Sequence, residues 1–155
     1  MIIAISGTPG TGKTAVAELL AKKTGWKLVK LNELAKEKNY YSGYDPLRHV
    51  PIIDVEELKA EVKKMKGNLI LEAHYSHEIP NDLIVILRTN PGVLRKRLKK
   101  KGWRAEKIEE NVQAEIMEEC KVESFELKRK VKEIDTTKKR PYQVVNEILK
   151  ILKQY

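Results

Sequence analysis

The stretch Gly7-Thr8-Pro9-Gly10-Thr11-Gly12-Lys13-Thr14 constrains this chain more than any other. It fills the pattern G-x-x-x-x-G-K-T, and its surroundings are those the pattern requires. The unbroken apolar run Ile2, Ile3, Ala4 and Ile5 precedes it, and the spacing of an amphipathic helix follows from Lys13. Glycines let the backbone curl with its N–H groups turned inward, and the helix N-terminus behind them adds positive potential. A loop so built encloses phosphate. The amides around Gly10, Gly12 and Ala15, the Lys13 ammonium and the Thr14 hydroxyl then receive a nucleoside triphosphate, with Lys13 on the β- and γ-phosphates and Thr14 on Mg²⁺.

The rest of the chain alternates between two periods. Four apolar residues before Gly7 suit a strand buried on both faces. Val16, Leu19, Leu20 and neighbouring alanines make a helix that ends near Thr24-Gly25. Trp26–Leu31 reads as a second strand, and a short helix begins at Leu34 and Ala35. Asn39–Pro51, broken at Gly43, Pro46 and Pro51, reads as irregular. Asp54 caps a helix from Val55 to about Lys66, with Glu57 in capping-box register. Asn68–Leu71 and Asp82–Leu87 are further strands, ending at Glu72 and at Arg88-Thr89. A basic helix runs from Pro91 to Lys101, and Gly102-Trp103 interrupts it. Another continues from about Glu106 past Cys120, Val131–Ile134 is a last strand, and Pro141 opens an amphipathic helix. Strands alternating with helices predict a parallel sheet flanked by helices, a three-layer P-loop sandwich formed as one domain over residues 1–155.

Composition narrows the functional classes. No apolar run approaches the roughly 18 residues of a membrane span, and residues 2–5 read as a strand rather than a leader, so a cytoplasmic protein is expected. One cysteine, Cys120, excludes an internal disulfide. The net charge of +9 favours polyanionic partners, nucleotide or RNA. Aromatics are only 6%, without a stacking arrangement, which disfavours a pure RNA-binding module. No Asn-Lys-x-Asp signature is present, which disfavours a guanine-specific switch.

The chemistry needs a carboxylate near the magnesium at a neighbouring strand end. Glu72 meets that need, and His74 two residues on can position phosphate or water. His77 lies three residues beyond His74, but no third ligand is visible, so no metal is assigned to the histidines. Arg95, Lys96, Arg97, Lys99, Lys100, Lys101, Arg104 and Lys107 straddle the Gly102 break and form a basic lid.

With these residues in order, the whole chain resembles the small archaeal adenylate kinases and their eukaryotic nuclear counterparts, the coilin-interacting ATPases of ribosome maturation. The resemblance is carried by the glycine loop, Leu34-Ala35-Lys36-Glu37 with Tyr44-Asp45, and Glu72-Ala73-His74. It continues through Leu87-Arg88-Thr89-Asn90-Pro91, Arg97-Leu98, Glu110–Ile116 and Glu133–Thr137. It implies a nucleoside monophosphate kinase fold with an NMP-binding segment at about 30–53 and a lid at about 100–110. It further implies phosphorylation of AMP or other NMPs by ATP, a separate ATPase activity, and a small-subunit ribosomal protein partner of the S-eleven type, with rRNA contact. Relatives carry Arg-Gly-aromatic where this chain has Lys101-Gly102-Trp103, so the ATP contact falls to Lys101 or Arg104. Arg140 stands where relatives place a cation near the adenine. The alternative on the same residues is a dedicated ATPase with little NMP kinase activity.

Overall fold

Each apolar run of the sequence becomes a strand, and the structure, a computed structural model, describes residues 1–127 and 129–155. In chain order the elements are β1 (Ile2–Ser6), α1 (Lys13–Thr24), β2 (Lys27–Lys30), α2 (Leu31–Lys38), β3 (Tyr41–Asp45), β4 (Val50–Ile53) and α3 (Val55–Lys63). There follow β5 (Leu69–Glu72), a single 3-10 turn at Ser76–Glu78, β6 (Leu83–Arg88), α4 (Pro91–Lys100), α5 (Ala105–Ile116), α6 (Glu119–Glu126), β7 (Val131–Asp135) and α7 (Pro141–Leu152). Five strands form one sheet in the order β2-β5-β1-β6-β7, and every pairing in it is parallel.

The parallel sheet is buried on both faces because alternate residues of each strand meet different helices. Ile3 and Ile5, with Ile70, Leu83, Val85 and Leu87, pack against Val16 and Leu20 of α1 and Val144, Val145 and Ile148 of α7. On the opposite face Leu69 and Leu71 meet Leu31, Ala35, Leu58 and Val62 from α2 and α3. Ala4, Ile84 and Ile86 lie under Cys120 of α6. Leu94 and Leu98 of α4 close against Ile108 and Val112 of α5, with Trp103 at the edge. Three layers result, and β1 sits mid-sheet with its carboxyl end, and so the glycine loop, at the sheet's open rim.

Two stretches depart from the sequence reading. Residues 39–51 are not irregular: β3 and β4 form an antiparallel hairpin that registers Tyr41 with Ile53 and Tyr44 with Pro51. Its turn is closed by Asp45 Oδ1, which accepts from the amides of Leu47 and Arg48 at 3.0 and 3.2 Å. Gly43 and Pro51 conceal the alternation, and Pro51 is tolerated because both strands of a two-stranded ribbon are edges. The helix expected to pass unbroken beyond Cys120 is instead two helices, α5 and α6. Arg88 Nη2 donates to the Glu115 carbonyl at 2.9 Å, capturing an acceptor at the end of α5, and Glu118 turns left-handed at φ 55°. No glycine or proline marks that break. Smaller shifts are that β2 spans four residues rather than six, α2 begins at Leu31, and α3 stops at Lys63.

Leu20 is fully buried between α1, α7 and the sheet. Leu20→Ala should lower unfolding free energy by about 3 kcal/mol in urea denaturation, through lost transfer energy plus a residual cavity.

Candidate functional site

The glycine loop is shaped by backbone conformations that L side chains rarely adopt. Gly7, Gly10 and Gly12 have φ of 142°, 92° and 97°. A Cβ on Gly7 would stand 2.6 Å from the Leu87 carbonyl oxygen, so only glycine passes this close to β6. The first intrahelical bond of α1 runs from Val16 N–H to Gly12 O at 3.1 Å, and Gly12 supplies no side-chain cap. The amides of Lys13, Thr14 and Ala15 therefore stay free for an anion at the helix N-terminus. Gly12, Thr14 and Ala15 face solvent there, and Gly10 is half-buried behind them.

Lys13 is buried, donating to the Thr8 carbonyl at 3.2 Å, and among the described residues it has no ion-pair partner. Burial pushes its ammonium down to about 8, against an opposing pull from Glu72. The loop is braced from below. Thr11 Oγ1 donates to the Thr8 carbonyl at 2.8 Å, and Thr136 Oγ1 reaches the Thr11 carbonyl at 2.9 Å. Arg97 of α4 donates to the Gly10 carbonyl at 3.3 Å and to the Thr136 carbonyl at 3.1 Å. Arg97 entered the sequence reading only as a basic lid residue; its partner Thr136 lies 39 positions away and gave no local signal.

Glu72 ends β5, where Ile5 of β1 is its register partner on one side and Lys30 of β2 on the other. Its carboxylate is half-buried and has no hydrogen-bond partner within the protein among the described residues. Burial raises its pKa, and Lys13 and Lys30 oppose that rise. A carboxyl oxygen left unpartnered on the loop's side of the sheet could serve a hard metal ion as a ligand.

His74 is exposed over part of its surface, and its ring lies edge-on to Tyr75 at 5.0 Å. Burial, the Lys13 cation and His77 push its pKa down to about 4, so it is a neutral imidazole at physiological pH. His77 is buried, with Nδ1 at 2.6 Å from Ser6 Oγ and Nε2 at 2.6 Å from Glu123. Cys120 lies in the same region, and burial raises its thiol to about 11, which leaves it unreactive.

Lys101, Gly102 and Arg104 are exposed at the turn between α4 and α5. Lys101 is near enough to Lys13 to depress it further, so this basic turn projects toward the loop. Lys107 stacks over Trp103 at 4.1 Å and packs the start of α5 onto the turn. Across the cleft, Arg48 at the hairpin tip pairs with Glu110 of α5. Arg140 is exposed at the N-cap of α7, where its own amide donates to Gln143 Oε1 at 2.8 Å. A groove of 380 Å³ lined by Asn90, Asp135, Thr137, Lys138 and Lys139 opens beside it.

This arrangement defines a P-loop fold of kinase type. The fold matches deoxyadenosine kinase from M. mycoides (TM-score 0.67, 18% identity, 99% of each chain) and shikimate kinase from Acinetobacter baumannii (TM-score 0.69, 16% identity, 99% of this chain and 93% of that one). The family described as "AAA domain" matches residues 3–118. Proteins named "Putative adenylate kinase" from Pyrococcus furiosus and Thermococcus kodakarensis are 44% and 42% identical, across 98% and 99% of this chain and 84% and 86% of their own lengths. The chain belongs to this family of archaeal adenylate kinase relatives.

A buried lysine with a lowered pKa opposes folding. Between about pH 8 and its ordinary 10.5 the unfolded chain binds more protons at Lys13 than the folded chain, so stability rises with pH across that window. Lys13→Met should therefore stabilise the free protein at pH 7 by about 1–3 kcal/mol. The gap should close toward pH 10, as thermal melts across the pH series will show.

Proposed function

We propose that this chain is an ATP-dependent nucleoside monophosphate kinase, moving the γ-phosphate of ATP onto AMP to give two ADP. The observation that carries the reading is the unpartnered Glu72 carboxylate one strand from the buried Lys13 cation, with a basic turn on one wall of the cleft and the hairpin on the other. The free amides of Lys13, Thr14 and Ala15 would cradle the α- and β-phosphates, and Lys13 would bridge the β- and γ-groups. The Thr14 hydroxyl and Glu72 offer the hard oxygen donors that Mg²⁺ takes, and the ion would neutralise charge developing on the transferred group. Lys101 and Arg104 would close over the phosphates from the lid at about 100–110, while Arg140 and the groove by Asn90 and Thr137 would hold the base.

The segment at about 30–53, with the β3–β4 hairpin, would seat the NMP. The Arg48–Glu110 pair joins that segment to α5, and closure of the two walls over bound nucleotide would limit water there. Transfer is in line: an AMP phosphate oxygen forms a bond to γ-phosphorus as the bond to the β-bridging oxygen breaks. The enzyme contributes position and charge rather than a covalent intermediate. The names carried by the archaeal relatives support the adenylate acceptor.

Neutral His74 beside Glu72 favours a second activity, hydrolysis, because an uncharged imidazole can orient water without repelling Lys13. A partner rich in RNA, a small-subunit ribosomal protein with its rRNA, would suit the +9 charge and the resemblance to ribosome-maturation ATPases.

ADP formation from ATP should rise several-fold when AMP is added. Glu72→Gln should leave ATP affinity within about threefold and cut turnover by about 100-fold, because it removes a charged metal ligand and not a phosphate contact. ADP formation indifferent to AMP would sink the kinase reading and leave the hydrolase.

A further inference from the structure

A cluster outside the phosphate cleft gathers metal-ligating side chains that none of the reactions above uses. His77, Glu78 and Glu123 bring one ligand atom each to within 4.8 Å of one another. The 3-10 turn after β5 supplies the first two, and α6 swings Glu123 over them from 46 residues away. Spacing along the chain shows only two of these three, and so no site.

The orientation of His77 follows from its neighbours. Ser6 Oγ donates to the His74 carbonyl at 3.0 Å. The same hydroxyl lies 2.6 Å from His77 Nδ1, a contact that fixes the ring and turns Nε2 toward α6. Nε2, on a side chain 1% exposed, points at Glu123 Oε2 2.6 Å away. A proton can close that contact, and a metal ion that binds the pair displaces it. Neither carboxylate is answered by lysine or arginine among the described residues, although the chain carries 31 such residues.

We infer that His77, Glu78 and Glu123 form a binding site for a divalent transition ion of borderline softness, of which Zn²⁺ is the type. Imidazole nitrogen with two carboxylate oxygens is a ligand set such ions accept, with water completing the shell. The Nδ1 contact with Ser6 is the outer support that orients a metal-binding histidine. A bound ion at about 2.0–2.1 Å from each ligand requires the His77–Glu123 separation to open to about 3.3 Å, which half-exposed Glu123 permits by rotating. The ion would clamp α6 to the 3-10 turn, whose His77 meets Ser6 at the end of β1.

Titration of untagged, chelator-stripped protein with Zn²⁺ by calorimetry tests this, with Co²⁺ absorption as a second readout. One saturable equivalent is expected, with visible Co²⁺ bands. Glu123→Gln and Glu78→Gln, both partly exposed, should each weaken binding by at least about 10-fold, and His77→Asn should abolish it. His74→Gln should bind as the parent does. If His77→Asn fails to fold, Glu123→Gln decides. Wild-type affinity in Glu123→Gln, no saturable binding in the parent, or loss confined to His74→Gln would overturn the site; the first two leave a His77–Glu123 pair bridged by a proton.

Discussion

The structure turns on a buried ammonium. Lys13 is almost wholly enclosed, touches one backbone carbonyl at 3.2 Å, and has no ion-pair partner among the described residues. Such a charge is expensive to keep in a protein interior. Everything that shapes the loop holds it there: three glycines with positive φ, the Thr8 carbonyl, and the Thr11, Thr136 and Arg97 bonds beneath. A polyphosphate ligand would supply the missing counter-charge, and the cost of burial in the free protein would become differential affinity for that ligand.

The parallel sheet makes this possible. Because β1 runs between β5 and β6 in the same direction, the loop after β1 and the carboxylate ending β5 arrive at the same rim. The pull of Lys13 on Glu72, and of Lys101 on Lys13, records that convergence in the protonation behaviour of the site. Thr136 adds β7 to the arrangement, and Arg97 adds α4, so the helix that leads to the basic turn is bonded to the floor of the loop. Any movement of that turn would be felt at the loop through these bonds.

What the sequence made legible were the features with local causes. The strand before Gly7, the helix opening at Lys13, Glu72 at a strand end and the N-cap at Asp54 all rest on residues within a few positions of one another. The hairpin escaped because Gly43 and Pro51 conceal its alternation. The break between α5 and α6 escaped because its cause, Arg88 reaching the Glu115 carbonyl, lies 27 residues away. The Arg97–Thr136 brace and the His77–Glu123 pair escaped for the same reason. The roles expected of Lys101, Arg104 and Arg140 rested on family resemblance, since their exposed side chains have no partner among the described residues that would reveal a task.

The claim that burial lowers the Lys13 pKa until phosphate restores it has a direct measurement. Calorimetric titration of the protein with Mg²⁺ and ATP, in buffers of different ionisation enthalpy, counts the protons taken up on binding. With Lys13 near 8 when free and restored to an ordinary ammonium against phosphate, binding should take up close to one proton at pH 9 and almost none at pH 6.5. Equal uptake at both values, or the same uptake in Lys13→Met, would contradict the account.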